Sequence, residues 1–204
     1  MFGSWSIVGY ASFNNMKGRA YLYQRVLGGW YYRQTIQASD GSYGDSFGRS
    51  VSINGKTVVV GAPYKDNVNV YNEGAVYTFT LQGETWTEDK ILTDGAPINY
   101  FEWSVAVSGD TLLVGASKKE GYRGAAYVFV LAGDGLWDEG TMLIPRSRID
   151  LGDNFGCSVA LSGDRAIIGA YNSDENGNDS GVAYIFSRVN GVWHEESKLV
   201  PTDG

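Results

Sequence analysis

A 54-residue period, apolar runs that each end in glycine, and turn residues at a fixed place between them predict an all-β chain, a β-propeller segment of four-stranded antiparallel blades. Phe47, Phe101 and Phe155 lie 54 residues apart, and so do the pairs Asn54-Gly55, Ser108-Gly109 and Ser162-Gly163. In each copy the glycine closing the apolar run follows the phenylalanine by 14 residues: Gly61, Gly115 and Gly169. Gly9 in SIVGY is an earlier member of the series. The chain therefore holds three and a half copies, spanning about 1–45 (partial), 46–99, 100–153 and 154–204. A repeated sheet that is apolar on both faces cannot bury itself, so its neighbours must cover it and the array counts as a single domain.

Within a copy the elements follow in order. FGCSVALSGDRAIIGA has two short apolar runs on either side of Ser162-Gly163, and INGK, SGDT and SGDR each set a residue tolerant of positive φ beside a glycine, the chemistry of a two-residue hairpin. The second run is continuously apolar (VVV, LLV, AII), which suits a strand covered on both faces. GVAYIFSR predicts a third strand with Tyr184 and Phe186 on one face and Ala183 and Ile185 on the other. Turns at Gly28-Gly29, Gln82-Gly83, Gly133-Asp134-Gly135 and Asn190-Gly191 lead into a fourth strand carrying Trp30, Trp86, Trp137 or Trp193. No segment keeps helical apolar spacing, and glycine recurs too often for helix. The small pairs Gly61-Ala62, Gly115-Ala116 and Gly169-Ala170 would let neighbouring sheets approach closely, with the large aromatics filling wider space.

Composition excludes several function classes. With 28 Gly, 14 Tyr and 6 Trp the chain reads as many short strands joined by tight turns. A net charge of −7 argues against nucleic acid or an anionic membrane surface as partner. No apolar run approaches the roughly 20 residues of a membrane span, so no membrane insertion is expected. The opening MFGSWSIVG lacks the basic and apolar segments of a signal peptide. A single Cys157 rules out an internal disulfide.

The stretch FGRSVSINGKTVVVGAP resembles the FG-GAP repeat, named for its Phe-Gly and Gly-Ala-Pro elements. Phe47, Gly48, Gly61, Ala62 and Pro63 match both elements in full. Phe155, Gly156, Gly169 and Ala170 match with Tyr171 in place of proline, while Phe101 is followed by Glu102 and Gly115-Ala116 by Ser117. The resemblance extends over essentially the whole chain. It implies a propeller of about seven blades, as in integrin α subunits, and a setting outside the cytoplasm or on a cell surface. Too few residues precede Gly9 to supply a first strand, so the first blade is expected to be incomplete. An open array would expose apolar side chains at a cost of roughly 6 to 12 kcal/mol for four of them. We therefore expect this segment to join further blades of the same propeller or to close a ring with a second copy.

Candidate chemistry is sparse. The polar loop 172–180 places the oxygens of Asp174, Asn176, Asn178 and Asp179 within one turn, as a hard cation requires, so calcium is the one cofactor the chain suggests. The resemblance also implies calcium, although in that family its D-x-D-x-D-G loop lies between the first two strands and this loop follows the Gly-Ala pair. The plain alternative is a solvated turn-rich loop. Asn178-Asp179-Ser180 is an N-x-S/T sequon, usable only in a eukaryotic secretory pathway. His194 stands where other copies have Tyr31, Thr87 and Asp138, and Cys157 where they have Arg49 and Trp103, which fits variable strand positions better than catalysis. Glu88, Glu139 and Glu195 recur two residues after tryptophan, a repeated slot instead of an acid–base pair. No catalytic motif occurs, and the chain is expected not to be an enzyme.

Three readings follow: a structural or adhesive module binding protein partners through its loops and rim; a glycan-binding propeller using Tyr10, Tyr31, Tyr32, Tyr100 and Tyr122 as stacking faces; or a calcium-stabilised propeller accompanying an enzyme domain elsewhere.

Overall fold

The computed structural model describes residues 4–66, 72–93, 104–138 and 140–202. Every regular element of substance in them is a strand. The chain divides into two compact units, Met1–Ile98 and Asn99–Gly204.

Unit 1 holds two antiparallel sheets. The first has three strands in the order β1 (Trp5–Tyr10), β2 (Arg19–Val26) and β3 (Gly29–Ile36). As expected, its β1 occupies the place of the second strand in the other copies, because Gly9 sits where Gly61 sits. The second sheet is a full meander of β4 (Val51–Asn54), β5 (Thr57–Ala62), β6 (Ala75–Gln82) and β7 (Thr85–Leu92). Their shared core contains Leu22, Phe47, Val58, Tyr77, Phe79 and Trp86.

Unit 2 repeats the plan twice. Strands β8 (Ser104–Ser108), β9 (Thr111–Ala116), β10 (Ala125–Val130) and β11 (Thr141–Leu143) form one sheet, and β12 (Val159–Ser162), β13 (Arg165–Ala170), β14 (Val182–Val189) and β15 (Val192–Leu199) form the other. Leu113, Val128, Leu143, Phe155, Tyr184 and Phe186 meet in the core between them. Tyr184 and Phe186 share the buried face of β14, as their spacing predicts.

Several turns and one tryptophan differ from the sequence reading: the loop after β2 is Leu27-Gly28, not Gly28-Gly29, and that after β6 is Gly83-Glu84, not Gln82-Gly83. The hairpins do not turn on Asn54-Gly55 and its equivalents. Asn54 pairs with Thr57 as the last strand residue, and the loop is Gly55-Lys56, with Gly55 at φ 57. Gly109 and Gly163 repeat this at φ 61 and 55, and glycine at the first loop position is the II′ pattern that matches strand twist. Trp137 lies outside the fourth strand of its sheet. It makes an isolated bridge to Leu131 beyond a longer turn, and Asp138 Oδ1 accepts the N–H groups of Val130 and Gly140, which delays β11 to Thr141. Trp137 is nonetheless buried.

Candidate functional site

The feature that recurs with the most constrained geometry is the joint between consecutive sheets, and the Phe-Gly dipeptide makes it. In unit 1, Phe47 is fully buried with its ring edge-on to Tyr77 and Phe79, at centroid distances of 5.3 and 6.1 Å. Its backbone bridges to Gly18 of the preceding sheet. A Cβ on Gly18 would lie 1.9 Å from the Phe47 carbonyl oxygen, and one on Gly9 would lie 2.1 Å from that of Gly48. Only glycine admits this approach. Gly48 itself has φ 91 and donates to the Gly61 carbonyl at 2.8 Å.

Unit 2 builds the same joint. Phe155 packs against Tyr184 and Phe186 and bridges to Gly124. Cβ atoms on Gly124 and Gly115 would each come within 2.0 Å of the carbonyl oxygens of Phe155 and Gly156. Ser104 Oγ donates to the Gly156 carbonyl at 3.0 Å. The expected close approach at the Gly-Ala pair is thus real, and its partner is the next copy's Phe-Gly. Phe101 lies outside the described residues.

A left-handed residue completes the joint. Met16 at φ 64 and Tyr122 at φ 65 stand two positions before Gly18 and Gly124. Their carbonyls accept the N–H groups of Ser46 and Asn154, at 2.6 and 2.8 Å. Bulky side chains pay roughly 1–2 kcal/mol to adopt this conformation. Here the cost aims a carbonyl at the incoming strand.

Sequence reasoning missed Asp45 and Asp153, which precede the dipeptide in the shared pattern G-D-x-F-G. Both are buried, and each carboxylate accepts a backbone N–H three residues upstream, from Ser42 at 2.7 Å and from Asp150 at 2.9 Å. Burial raises both carboxyls above their ordinary value; in Asp45 the Ser42 hydrogen bond and Lys65, whose Nζ is 3.8 Å away, work against it. The 54-residue comparison hid this aspartate because the copy between carries Asn99 at its place. The recurrent glutamate was seen without its partner. Glu88 accepts the N–H and hydroxyl of Ser39 at 2.9 and 2.6 Å, and Glu195 accepts the N–H of Arg146, so each ties a sheet to the linker before it. Glu139 lies outside the described residues.

Of the other candidates, Asp174 and Asp179 line one hollow together, and the rest stand apart. In loop 172–180, Asp174 Oδ1 accepts the Asp179 N–H at 2.7 Å, Asn176 Nδ2 donates to the Pro201 carbonyl, and Asn178 Nδ2 reaches Asp179 Oδ2 at 3.5 Å. Asp174 and Asp179 thus bond within the loop while Asn176 ties it to Pro201, and among the described residues no three His, Cys, Asp or Glu side chains are grouped to hold a metal. Asn178 is exposed. Asp179, at φ 53 and two positions before Gly181, instead occupies the left-handed place of Met16 and Tyr122. His194 faces outward on β15 beside Ser187, and Cys157 Sγ lies 4.0 Å from Ser158 Oγ. Tyr10, Tyr31, Tyr32 and Tyr122 are each about half exposed; Tyr100 lies outside the described residues.

The outer face of the last sheet carries the receiving half of a joint without an occupant among the described residues. β9 is buried along its whole length, whereas in β13 Arg165 and Ile167 are exposed on one face while Ala166, Ile168 and Ala170 are buried on the other. On that open face stand Gly169, Gly181 and Ser158, in the places of Gly115, Gly124 and Ser104.

The FG-GAP repeat pattern matches residues 30–79, 86–129 and 138–186. The chain belongs to the FG-GAP repeat family. No curated protein matches this FG-GAP chain as a relative. Among solved structures, it is similar to the periplasmic gluconolactonase PpgL of Pseudomonas aeruginosa, with 16% identity and a TM-score of 0.56 over 98% of this chain and 55% of that one. It thus spans about half the length of that neighbour. A thermostable family-43 glycoside hydrolase aligns over the whole FG-GAP chain and 78% of its own length, at 12% identity and a TM-score of 0.48. With the family match, the first likeness shows a β-propeller fold of antiparallel blades, and the fold alone.

Proposed function

We propose that this FG-GAP chain is a non-enzymatic protein-interaction module, acting outside the cytoplasm, whose last blade receives a further blade of the same kind through that blade's Phe-Gly edge. The open face of β13 carries this reading. It offers the glycines Gly169 and Gly181, the hydroxyl of Ser158, and the Asp179 carbonyl on a left-handed residue, the counterparts of the groups that hold Asn154, Phe155 and Gly156 on the preceding blade. Ala160, Ile167 and Ile185 form the apolar floor beside it. The occupant belongs to the same chain beyond this segment or to a second copy. Likeness to a lactonase and a glycoside hydrolase adds no activity here, since function resides in sites and not in the propeller.

The test is a peptide of residues 44–54, which carries Phe47-Gly48, titrated into the isotope-labelled chain. Amide shifts confined to 158–169 and 179–185 are expected, and they should vanish when the peptide's phenylalanine is alanine. Equal shifts from both peptides, or none near Ile167, would sink the reading.

A second reading rests on the tyrosines of the first blade. Tyr21 and Tyr23 stand edge-on to Tyr32 at 6.5 and 6.1 Å on a face that also shows Val8 and Tyr10, half exposed. Such a face suits the apolar side of a sugar ring. A glycan array blank across common sugars would remove it.

A further inference from the structure

A second feature of unit 2 is independent of blade docking. Beside the Phe155 joint lies a cavity of about 530 Å³, within the range of small-ligand sites. Lys119, Arg123, Arg146 and Arg148 line it, against one acid, Glu120. That is a cationic site on a chain whose net charge is −7.

The cations are not a requirement of the scaffold. Gly18 and Gly124 make the same bridge, so Phe13 and Lys17 correspond to Lys119 and Arg123. Ser39 and Arg146 both give their backbone N–H to the recurrent glutamate, so they correspond as well. At these three places unit 2 has three cations and unit 1 has one, with Arg19 of unit 1 adding a second at the place of Ala125.

Two of these charges are poorly met. Among the described residues Arg123 pairs only with Glu120, 3.5 Å away and largely exposed, and neither its buried Nε nor the buried Oγ of Ser147 in the same lining has a hydrogen-bond partner there. The Arg146 guanidinium has no ion pair or hydrogen bond among the described residues. Arg148 is already paired with Asp150 at 2.9 Å, and the Lys119 ammonium lies 5.6 Å from the Tyr127 ring. Beside the two arginines, Met142 and Ile144 are 45% and 69% exposed over buried Leu143 and Pro145, so the open side of the cavity is aliphatic.

We propose that this cavity binds a carboxylate borne on an aliphatic body, the anion held by Arg123 and Arg146 and the body lying on Met142, Ile144 and Pro145. Guanidinium groups match a carboxylate with paired donors, and a site closed to water on its inner side strengthens that pairing. Two sources share this chemistry: a free short-chain acid, and an acidic residue next to a leucine or isoleucine in a peptide.

The experiment titrates hexanoate, hexylammonium and N-acetyl-Leu-Asp-amide into the labelled chain and follows backbone amides. Hexanoate or the dipeptide should shift amides of 119–125 and 142–149, with hexylammonium silent. Whichever of the two binds more tightly identifies the source. Arg146→Gln removes an exposed guanidinium and leaves its backbone bond to Glu195, so it should fold normally and weaken binding about tenfold or more. Arg148→Gln, at a charge already paired, should change it less. Equal response to hexylammonium, shifts elsewhere on the chain, or unchanged affinity in Arg146→Gln would overturn the proposal.

Discussion

The joints of unit 1 and unit 2 share an apolar centre and differ in the polar groups that fasten it. Both set a buried phenylalanine against two aromatics of its own sheet and press its backbone onto a glycine of the sheet before. Around that centre, unit 1 uses Gln34, whose amide both donates to the Trp86 carbonyl at 2.7 Å and accepts its N–H at 2.8 Å. Unit 2 has Thr141 at that place, too short to reach. It relies on Arg188, which donates to Asp164 at 2.6 Å and to Thr111 Oγ1 at 3.1 Å, and on Ser108, whose Oγ accepts the Gly163 N–H. The steric part of the joint is fixed by backbone approach and admits one residue type. Its polar part can be met by any side chain that reaches, so it drifts between copies.

The comparison is sharpened first at the glycines. Gly18→Ala and Gly124→Ala each drive a Cβ into a backbone carbonyl that cannot move aside, and each should cost about 3 kcal/mol or more in urea unfolding. Gly181→Ala, with the same sign of φ but its nearest neighbour at 3.3 Å, should cost only about 1–2 kcal/mol. Equal losses at Gly124 and Gly181 would break the claim that the joint, and not the backbone conformation, demands glycine.

The polar part comes next. Gln34→Ala should destabilise unit 1 by about 1–3 kcal/mol, since it leaves a buried Trp86 backbone pair unmet. Arg188→Ala should cost less, because its partners Asp110 and Asp164 remain exposed to water. Thermal unfolding of both variants decides the order.

The two buried aspartates predict a pH effect. Burial raises Asp153, with Asp150 and Asp174 adding to it and the Asp150 N–H and Lys198 opposing. A folded value above the unfolded one means the neutral carboxyl favours folding. That contribution is complete below the ordinary value of 3.8 and is lost as pH rises through the folded value. Asp153→Asn should flatten the decline in stability above pH 3.8 while its side-chain oxygen still accepts the Asp150 N–H. Asp45→Asn should gain less, since it also removes one of the two carboxylates that face Lys65, the other being Asp40 at 3.4 Å. Denaturant midpoints across pH would show the difference.

The smallest effect compares one turn in both units. Leu27-Gly28 and Asn190-Gly191 both have positive φ at each position, 49 and 85 against 52 and 81. Leucine is strained there and asparagine is not. Leu27→Asn, at a fully exposed site, should stabilise by about 0.5–1 kcal/mol, read as a rise in melting temperature.

The period, the order of the strands and the incomplete first blade were legible because each depends on residue types at fixed spacing. Alternation put Tyr184 and Phe186 on one face, and turn glycines marked the hairpin ends within a residue. Trp137 was misplaced because a long turn and the Asp138 carboxylate shift where pairing begins, and nothing local in the sequence reports that. Loop 172–180 is legible as rich in oxygens, but their partners depend on backbone angles: Asp174 Oδ1 takes the Asp179 N–H, and Asp179 itself sits in a left-handed position.

By itself, then, the sequence determined the repeat, the strands and the residues that must be small or aromatic, since these follow from periodicity and the sterics of single positions. Only the tertiary structure decided what the small residues face. Phe47 and Gly18 are 29 residues apart in the chain and belong to different sheets, and so are Phe155 and Gly124 in two copies that differ, 31 apart. Their meeting, the glutamate latches, and the cationic cavity beside Phe155 arise from close packing of one sheet on the next, a relation that no spacing along the chain encodes.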